Sequence, residues 1–288
     1  MKLLITGAAG MLGKDVLAAC HARGHEAIPA DRALLDVTDF DACHALLGQL
    51  QPDAVLHCAA WTDVDGAEKD QNGAYRGNAL GAWHMAAACA EVGVWLAYVS
   101  TDFVFDGEKG SAYDEFDAVN PVSTYGRSKE AGERLVRQTL PQQHIIARTS
   151  FLYGVHGKNI IKSIARFAQT RPELSFVTDQ VVSPTHTADV GETLLDLVES
   201  PLPGTYHVAS AGECSLFELA SAVIEELGLS TPVLPTTFAE FVEKYQPPAR
   251  RPKHSPLLCR ALAMRGMNAP PHWREALKEY LARPEALS

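Results

Sequence analysis

Met1-Lys2-Leu3-Leu4-Ile5-Thr6-Gly7-Ala8-Ala9-Gly10-Met11-Leu12-Gly13 opens the chain and decides its fold. Residues 1–5 read as a short buried strand and 11–23 as a helix, with glycines between them. Glycine there permits a tight turn, a close approach of backbone to a pyrophosphate, and close packing of helix on sheet. The helix start offers free N–H groups and a partial positive charge to phosphates. A plain tight turn would use the same residues. Strand, loop and helix in this order favour nucleotide binding.

Outward from this unit the same rhythm repeats. Strands are read at 26–30, 53–58, 95–100 and 144–147, and helices at 40–50, 78–92 and 125–139. Short apolar runs alternating with helices imply parallel strands joined by crossovers. The expected fold class is therefore α/β, a doubly wound, mainly parallel Rossmann sheet with a smaller C-terminal substrate-binding lobe. Beyond Ser150 the rhythm loosens, with helices at 159–170, 187–199, 215–227, 238–245 and 272–281 and an extended segment at 174–177. Residues 1–150 are assigned to the dinucleotide-binding domain, with a later return near 177–200, and 151–288 mainly to the lobe.

Composition narrows the function classes. Hydrophobic residues are 47% and charged residues 21% of the 288, the mixture of a globular protein. No apolar run approaches the ~20 residues of a membrane span, and the first glycine interrupts any signal-peptide core. The net charge of −10, without a Lys/Arg block, argues against nucleic acid as a partner. The six cysteines lie far apart, with no metal or redox spacing, so no metal is expected and a reducing cytoplasm is the simplest location. The residues do not reveal the oligomeric state, and a homodimer stays open.

Gly7, Gly10 and Gly13, with Met11 and Leu12, are the candidate diphosphate cradle. Their Gly-x-x-Gly-x-x-Gly spacing resembles that of extended short-chain dehydrogenases. Asp31, at the end of the second strand, would accept from the adenine ribose hydroxyls, whereas Arg32 would pair with a 2′-phosphate. NADPH and NADH therefore both stay open as cofactors. Asp36-Val37 resembles the family's adenine-contact pair, and Ala59-Ala60-Trp61 its segment near the cofactor ribose. A turn residue is the lesser reading of Asp36.

Tyr125 and Lys129 stand four residues apart, on one face of a helix. A nearby ammonium favours the phenolate and brings a phenol of pKa near ~10 closer to working range. The same lysine can bond the nicotinamide ribose. Ser100-Thr101-Asp102 ends a strand, where ligands bind in open parallel sheets. Thr101 there can hydrogen-bond a substrate carbonyl. Asn78 resembles the family's helix asparagine that orders a proton path, and reads equally as a cap.

The resemblance then narrows. Residues 100–107 (Ser-Thr-Asp-Phe-Val-Phe-Asp-Gly), 59–68, 148–154, 179–185 and 251–255 are similar to the corresponding stretches of dTDP-4-dehydrorhamnose reductases, over nearly the whole chain. The resemblance implies hydride delivery from NAD(P)H to C4 of a dTDP-linked 4-keto-6-deoxy sugar. Tyr125 would give the proton, Lys129 would tune it, and Thr101 would bond the same oxygen. Asp102, Phe151 and Arg251 are the substrate-side candidates, with Arg251 either a diphosphate partner or a surface arginine beside a proline turn. Phe151 stands where the family commonly has Trp, and Val182 where it has Gly. A dehydratase or epimerase of the superfamily is the nearest rival, but Phe103 after Asp102 removes half of a dehydratase's acidic pair. A non-catalytic, dinucleotide-binding regulatory subunit is the reading from another class.

Overall fold

Leu3 and Ile5 turn to one side of a sheet and Leu4 to the other, and all three are completely buried. That two-sided burial is what a parallel sheet covered by helices on both faces requires. The computed structural model describes residues 1–287. Its main sheet contains β1 (Lys2–Thr6), β2 (Glu26–Ala30), β3 (Ala54–His57), β4 (Trp95–Thr101) and β5 (His144–Thr149), all parallel.

Between these strands run α1 (Met11–Ala22), α2 (Phe40–Leu50), α3 (Val64–Lys69), α4 (Gln71–Tyr75), α5 (Gly81–Val92) and α6 (Thr124–Thr139). Helices α4 and α5 form one continuous rod through a π turn at Arg76–Leu80, so this helix begins before the Asn78 start read from sequence. Asp63 and Asp70 accept from the N–H groups of Gly66 and Gly73 and cap the two short helices. Glycines in both first turns disguise them as loop.

The chain continues through β6 (Leu152–Tyr153), α7 (Ile160–Thr170), β7 (Leu174–Val177), β8 (Val181–Val182) and β9 (Thr185–His186) to α8 (Thr187–Glu199) and β10 (Gly204–His207). Strand β10 joins the main sheet beside β5, giving the order β10-β5-β4-β3-β1-β2. The strand that rejoins the sheet thus lies beyond 177–200. Segment β7 pairs instead with β12 (Val233–Thr236), away from the main sheet. Helix α8 packs on α1 over the face holding Leu3, Ile5, Leu56 and Ala147. Helices α2, α5 and α6 cover Leu4, Val55, Leu96 and Ile146 on the other face.

The remaining elements are β11 (Cys214–Ser215), α9 (Leu216–Glu226), α10 (Phe238–Tyr245), α11 (Arg260–Met264) and α12 (Trp273–Leu281). A third apolar cluster gathers Ile161 and Ile164 of α7, Leu219 and Val223 of α9, and Leu277 and Tyr280 of α12 into the C-terminal lobe. Val182 sits in β8 opposite Cys214 with extended backbone, so this position needs no glycine. No helix among the described residues is long and apolar enough to cross a membrane.

Candidate active site

The strand order reverses between β1 and β3. Chain leaving β1 goes outward to β2, while β3 starts the other half of the sheet. Such a switch leaves a crevice beyond the strand ends, where ligands of open α/β sheets bind. A cleft of about 1080 Å³ occupies this place.

Its floor is built by close backbone contact. Gly7 has φ +65°, and a Cβ there would stand 2.7 Å from the Ala59 nitrogen, in the loop after β3. A Cβ on Gly13 would meet the Gly7 carbonyl oxygen at 2.4 Å. Only glycine lets the three segments meet. Thr6 Oγ1 and His57 Nδ1 are hydrogen-bonded at 2.8 Å, and Ala59 N donates to the same hydroxyl at 3.3 Å, tying the two strand ends below the loop. No side chain caps the α1 N-terminus, which leaves its first N–H groups facing the cleft beside Gly10, Met11 and Leu12. Uncapped N–H groups on a glycine floor fit a diphosphate.

Asp31, Arg32, Asp36 and Val37 line one end of the cleft, and Ala59, Ala60 and Trp61 line its side. Asn78, expected among the cofactor residues, does not line it. Its side chain accepts from Trp61 N at 2.8 Å and donates to Trp61 O and to Ser128 Oγ. It therefore pins the Trp61 segment to α6 from behind, and its own carbonyl accepts the Tyr98 hydroxyl.

Thr101, Asp102, Tyr125, Lys129 and Phe151 line the other end. Tyr125 lies in the first turn of α6, which Ser123 caps by accepting from Gly126 N. The Glu68 carboxylate accepts both the N–H and the hydroxyl of Thr124 and fixes the approach of that turn. The Tyr125 ring packs edge-on to Phe103, 5.5 Å between centroids. Burial pushes its hydroxyl up to about 12, with the side-chain hydrogen bond to Thr101 acting the other way. Asp102 is buried and pushed up to about 6 by desolvation, with Ser255 Oγ donating to it at 2.6 Å and Thr101 Oγ1 at 3.1 Å. Phe151 has φ +47°, a left-handed backbone that a bulky residue rarely adopts, and such strain gathers at functional sites.

Lys129 is one turn beyond Tyr125, but its ammonium does not govern the phenol as expected from the spacing. Lys129 Nζ donates to the Val99 carbonyl at 2.6 Å and lies 4.1 Å from the centre of the Tyr98 ring. Burial lowers it to about 7, with the Glu133 carboxylate opposing that shift. A base depressed in the folded state contributes stability above its unfolded value of 10.5, and loses it as pH falls through about 7. Stability of the wild type relative to Lys129→Met should therefore rise by about 1.4 kcal/mol per pH unit between these limits. Urea denaturation across that range checks this, and a difference independent of pH would mean that the folded ammonium keeps its proton.

Beneath this end lies a group the sequence reading missed. Glu133, completely buried, accepts two hydrogen bonds from the Arg148 guanidinium, one from Ser100 Oγ and one from Arg137. Ser100 and Arg148 are register partners in β4 and β5, directly before the Thr101–Thr149 pair. The signal was an arginine inside the apolar run of residues 144–149. Of the two readings of Arg251, its place favours the one away from the diphosphate. Its guanidinium donates to Asp65 of α3 at 2.7 Å and to the Ala249 carbonyl, and it does not line the cleft, because the ion pair closes the tail onto α3.

The RmlD substrate binding domain model matches residues 1–285. The spore coat polysaccharide biosynthesis protein SpsK of Bacillus subtilis is 40% identical, over 97% of this chain and 96% of that protein. The dTDP-4-dehydrorhamnose reductase of Mycobacterium tuberculosis H37Rv is 39% identical, over 98% and 93%. The crystal structure of dTDP-4-dehydrorhamnose reductase from Bacillus anthracis in complex with NADP superposes with a TM-score of 0.93 at 38% identity, over 98% of this chain and 99% of that one. With the family model spanning all but its last few residues, this chain belongs to the RmlD substrate binding domain family.

Proposed function

We propose that the protein reduces the C4 keto group of a dTDP-linked 6-deoxy sugar, dTDP-4-dehydro-L-rhamnose to dTDP-L-rhamnose, with NADPH or NADH. The observation that carries this reading is the meeting, in one cleft, of a glycine-floored helix start with Thr101, Tyr125 and Lys129. The names of the M. tuberculosis and B. anthracis relatives support the substrate and the cofactor.

A reduced dinucleotide bound here would supply the hydride for C4. The chain's own groups supply the rest. Free N–H groups at the start of α1 would hold the diphosphate, and Ala59, Ala60 and Trp61 form the adjoining wall. A phenol pushed up to about 12 is protonated at neutral pH, so Tyr125 enters as the acid and gives its proton to the forming alkoxide. Thr101 bonds the same oxygen. Lys129, anchored on the Val99 carbonyl at the cleft wall, would bond the nicotinamide ribose. Asp102 is held by Ser255 and followed by Phe103, so no second carboxyl stands beside it for dehydration.

The test is oxidation of NADPH and NADH by purified protein, with and without dTDP-4-dehydro-L-rhamnose. Oxidation that needs the sugar is expected. Cofactor binding without oxidation would instead favour an epimerase, a dehydratase or a regulatory subunit, and product analysis with dTDP- and UDP-hexoses would separate those.

A further inference from the structure

Tyr125 is placed by contacts on both sides of it in the chain. After it, Gly126 lets the first turn of α6 press on the loop beyond β4, where a Cβ would stand 2.2 Å from the Phe103 carbonyl oxygen. Before it, Thr124 is completely buried and gripped from α3. The Glu68 carboxylate takes the Thr124 N–H on one oxygen at 2.6 Å and the Thr124 hydroxyl on the other at 2.7 Å. Helix α6 has its own cap, since Ser123 Oγ accepts from Gly126 N at 3.1 Å. A carboxylate brought in from another element therefore adds a hold on position rather than a first cap. Helix α3 is held in turn on its other side. Asp65 accepts from Ala249 N at 3.2 Å and from Arg251 at 2.7 Å, while Thr62 and Val64 at the start of α3 line the cleft. Glu68 thus ties the turn bearing the phenol to the opposite wall of the cleft.

We infer that Glu68 is a positioning residue for the reduction, holding the Tyr125 hydroxyl at its working place beside Thr101 through its grip on Thr124. The inference rests on Tyr125 being the acid. Glu68 does not line the cleft, so it carries no proton to the sugar itself. Its effect is on reach. A hydroxyl serves a forming alkoxide only within about 2.6–3.2 Å, and a misplacement of about 1 Å can lower a rate about 10²-fold. Two charge-assisted hydrogen bonds from one carboxylate fix both the distance and the tilt of the residue before the phenol. Without them the Gly126–Phe103 contact still stops the turn on one side, but the pull toward α3 is gone. Fifty-six positions separate Glu68 from Thr124, so no local pattern in the sequence marks the pair.

A double-mutant cycle with Tyr125→Phe tests this, read as NADPH oxidation at saturating dTDP-4-dehydro-L-rhamnose. Glu68→Ala alone should lower kcat by about 10–10²-fold, with NADPH affinity unchanged and KM nearly so. In the Tyr125→Phe background the same change should lower kcat less than about twofold, since no hydroxyl is left to place. Equal fold losses in the two backgrounds would overturn the inference, because damage to the fold acts whether or not the hydroxyl is present. Glu68→Gln keeps an acceptor for the Thr124 N–H and offers a donor to the Thr124 hydroxyl oxygen, so kcat should stay within about threefold of wild type. A loss there as deep as in Glu68→Ala would also overturn it. If Glu68→Ala does not fold, Thr124→Val breaks only the hydroxyl contact and enters the same cycle, with a loss of about tenfold expected beside an intact Tyr125. Wild-type protein that oxidises neither NADPH nor NADH with the sugar, or Tyr125→Phe as fast as wild type, would instead overturn the acid role on which this rests.

Discussion

Tyr125→Phe is expected to lower turnover of the dTDP-linked keto sugar by about 10²–10⁴-fold, the contribution of a positioned acid, with NADPH affinity nearly unchanged. The substitution removes one hydroxyl and keeps the ring that packs edge-on against Phe103. The turn that carries it is fixed by groups the change does not touch, Ser123 on Gly126 and Glu68 on Thr124. A loss confined to turnover therefore reports the proton alone. With the phenol pushed up to about 12, the acid is fully loaded at neutral pH, so the wild-type rate should not fall on the alkaline side until well above neutrality. Steady-state kinetics of wild type and variant decide the matter, and activity within about twofold of wild type would remove Tyr125 from the acid role.

A larger effect on stability is expected at Glu133. Glu133→Ala leaves Arg148 buried without its bidentate partner and Ser100 Oγ without an acceptor. Breaking such a pair from one side costs about 3–5 kcal/mol, mostly the penalty of an uncompensated buried charge. Urea denaturation at neutral pH measures it. The double variant Glu133→Leu with Arg148→Met removes both charges and should recover most of that loss, since a buried ion pair replaced by apolar side chains is often neutral. If the double variant were as unstable as the single one, the cluster's worth would lie in its geometry, through the Ser100–Arg148 register that sets the height of Thr101 in the cleft.

Much of this fold could be read from local pattern. Leu3-Leu4-Ile5, Ala54-Val55-Leu56 and Ile145-Ile146-Ala147 are apolar runs too short for helices and buried on both faces, so the middle of the sheet announced itself. Strand β10 did not. Gly204-Thr205-Tyr206-His207 is half polar and pairs on one side only, as an edge strand does. The glycine floor and the Tyr125–Lys129 spacing were legible because their chemistry fixes residue types at fixed offsets. Arg251 misled because its partner, Asp65, lies 186 positions away, and no local pattern carries that distance. Glu133 was hidden because its partners Ser100 and Arg148 lie on strands that meet α6 only in three dimensions.

The packing of α8 on α1 has a consequence for the protein's birth. Arg23, just past α1, binds Glu192, Asp196 and Glu199 of α8, and the Arg23–Asp196 contact spans 173 positions. Until that second helix leaves the ribosome, α1 covers Leu3 and Ile5 but the side of α1 that packs on α8 stays bare. At bacterial and eukaryotic elongation rates of about 5–20 residues per second, the delay is roughly 10–35 s. The first helix to emerge is thus among the last to be sealed, and during translation that flank is the natural place for a chaperone to hold.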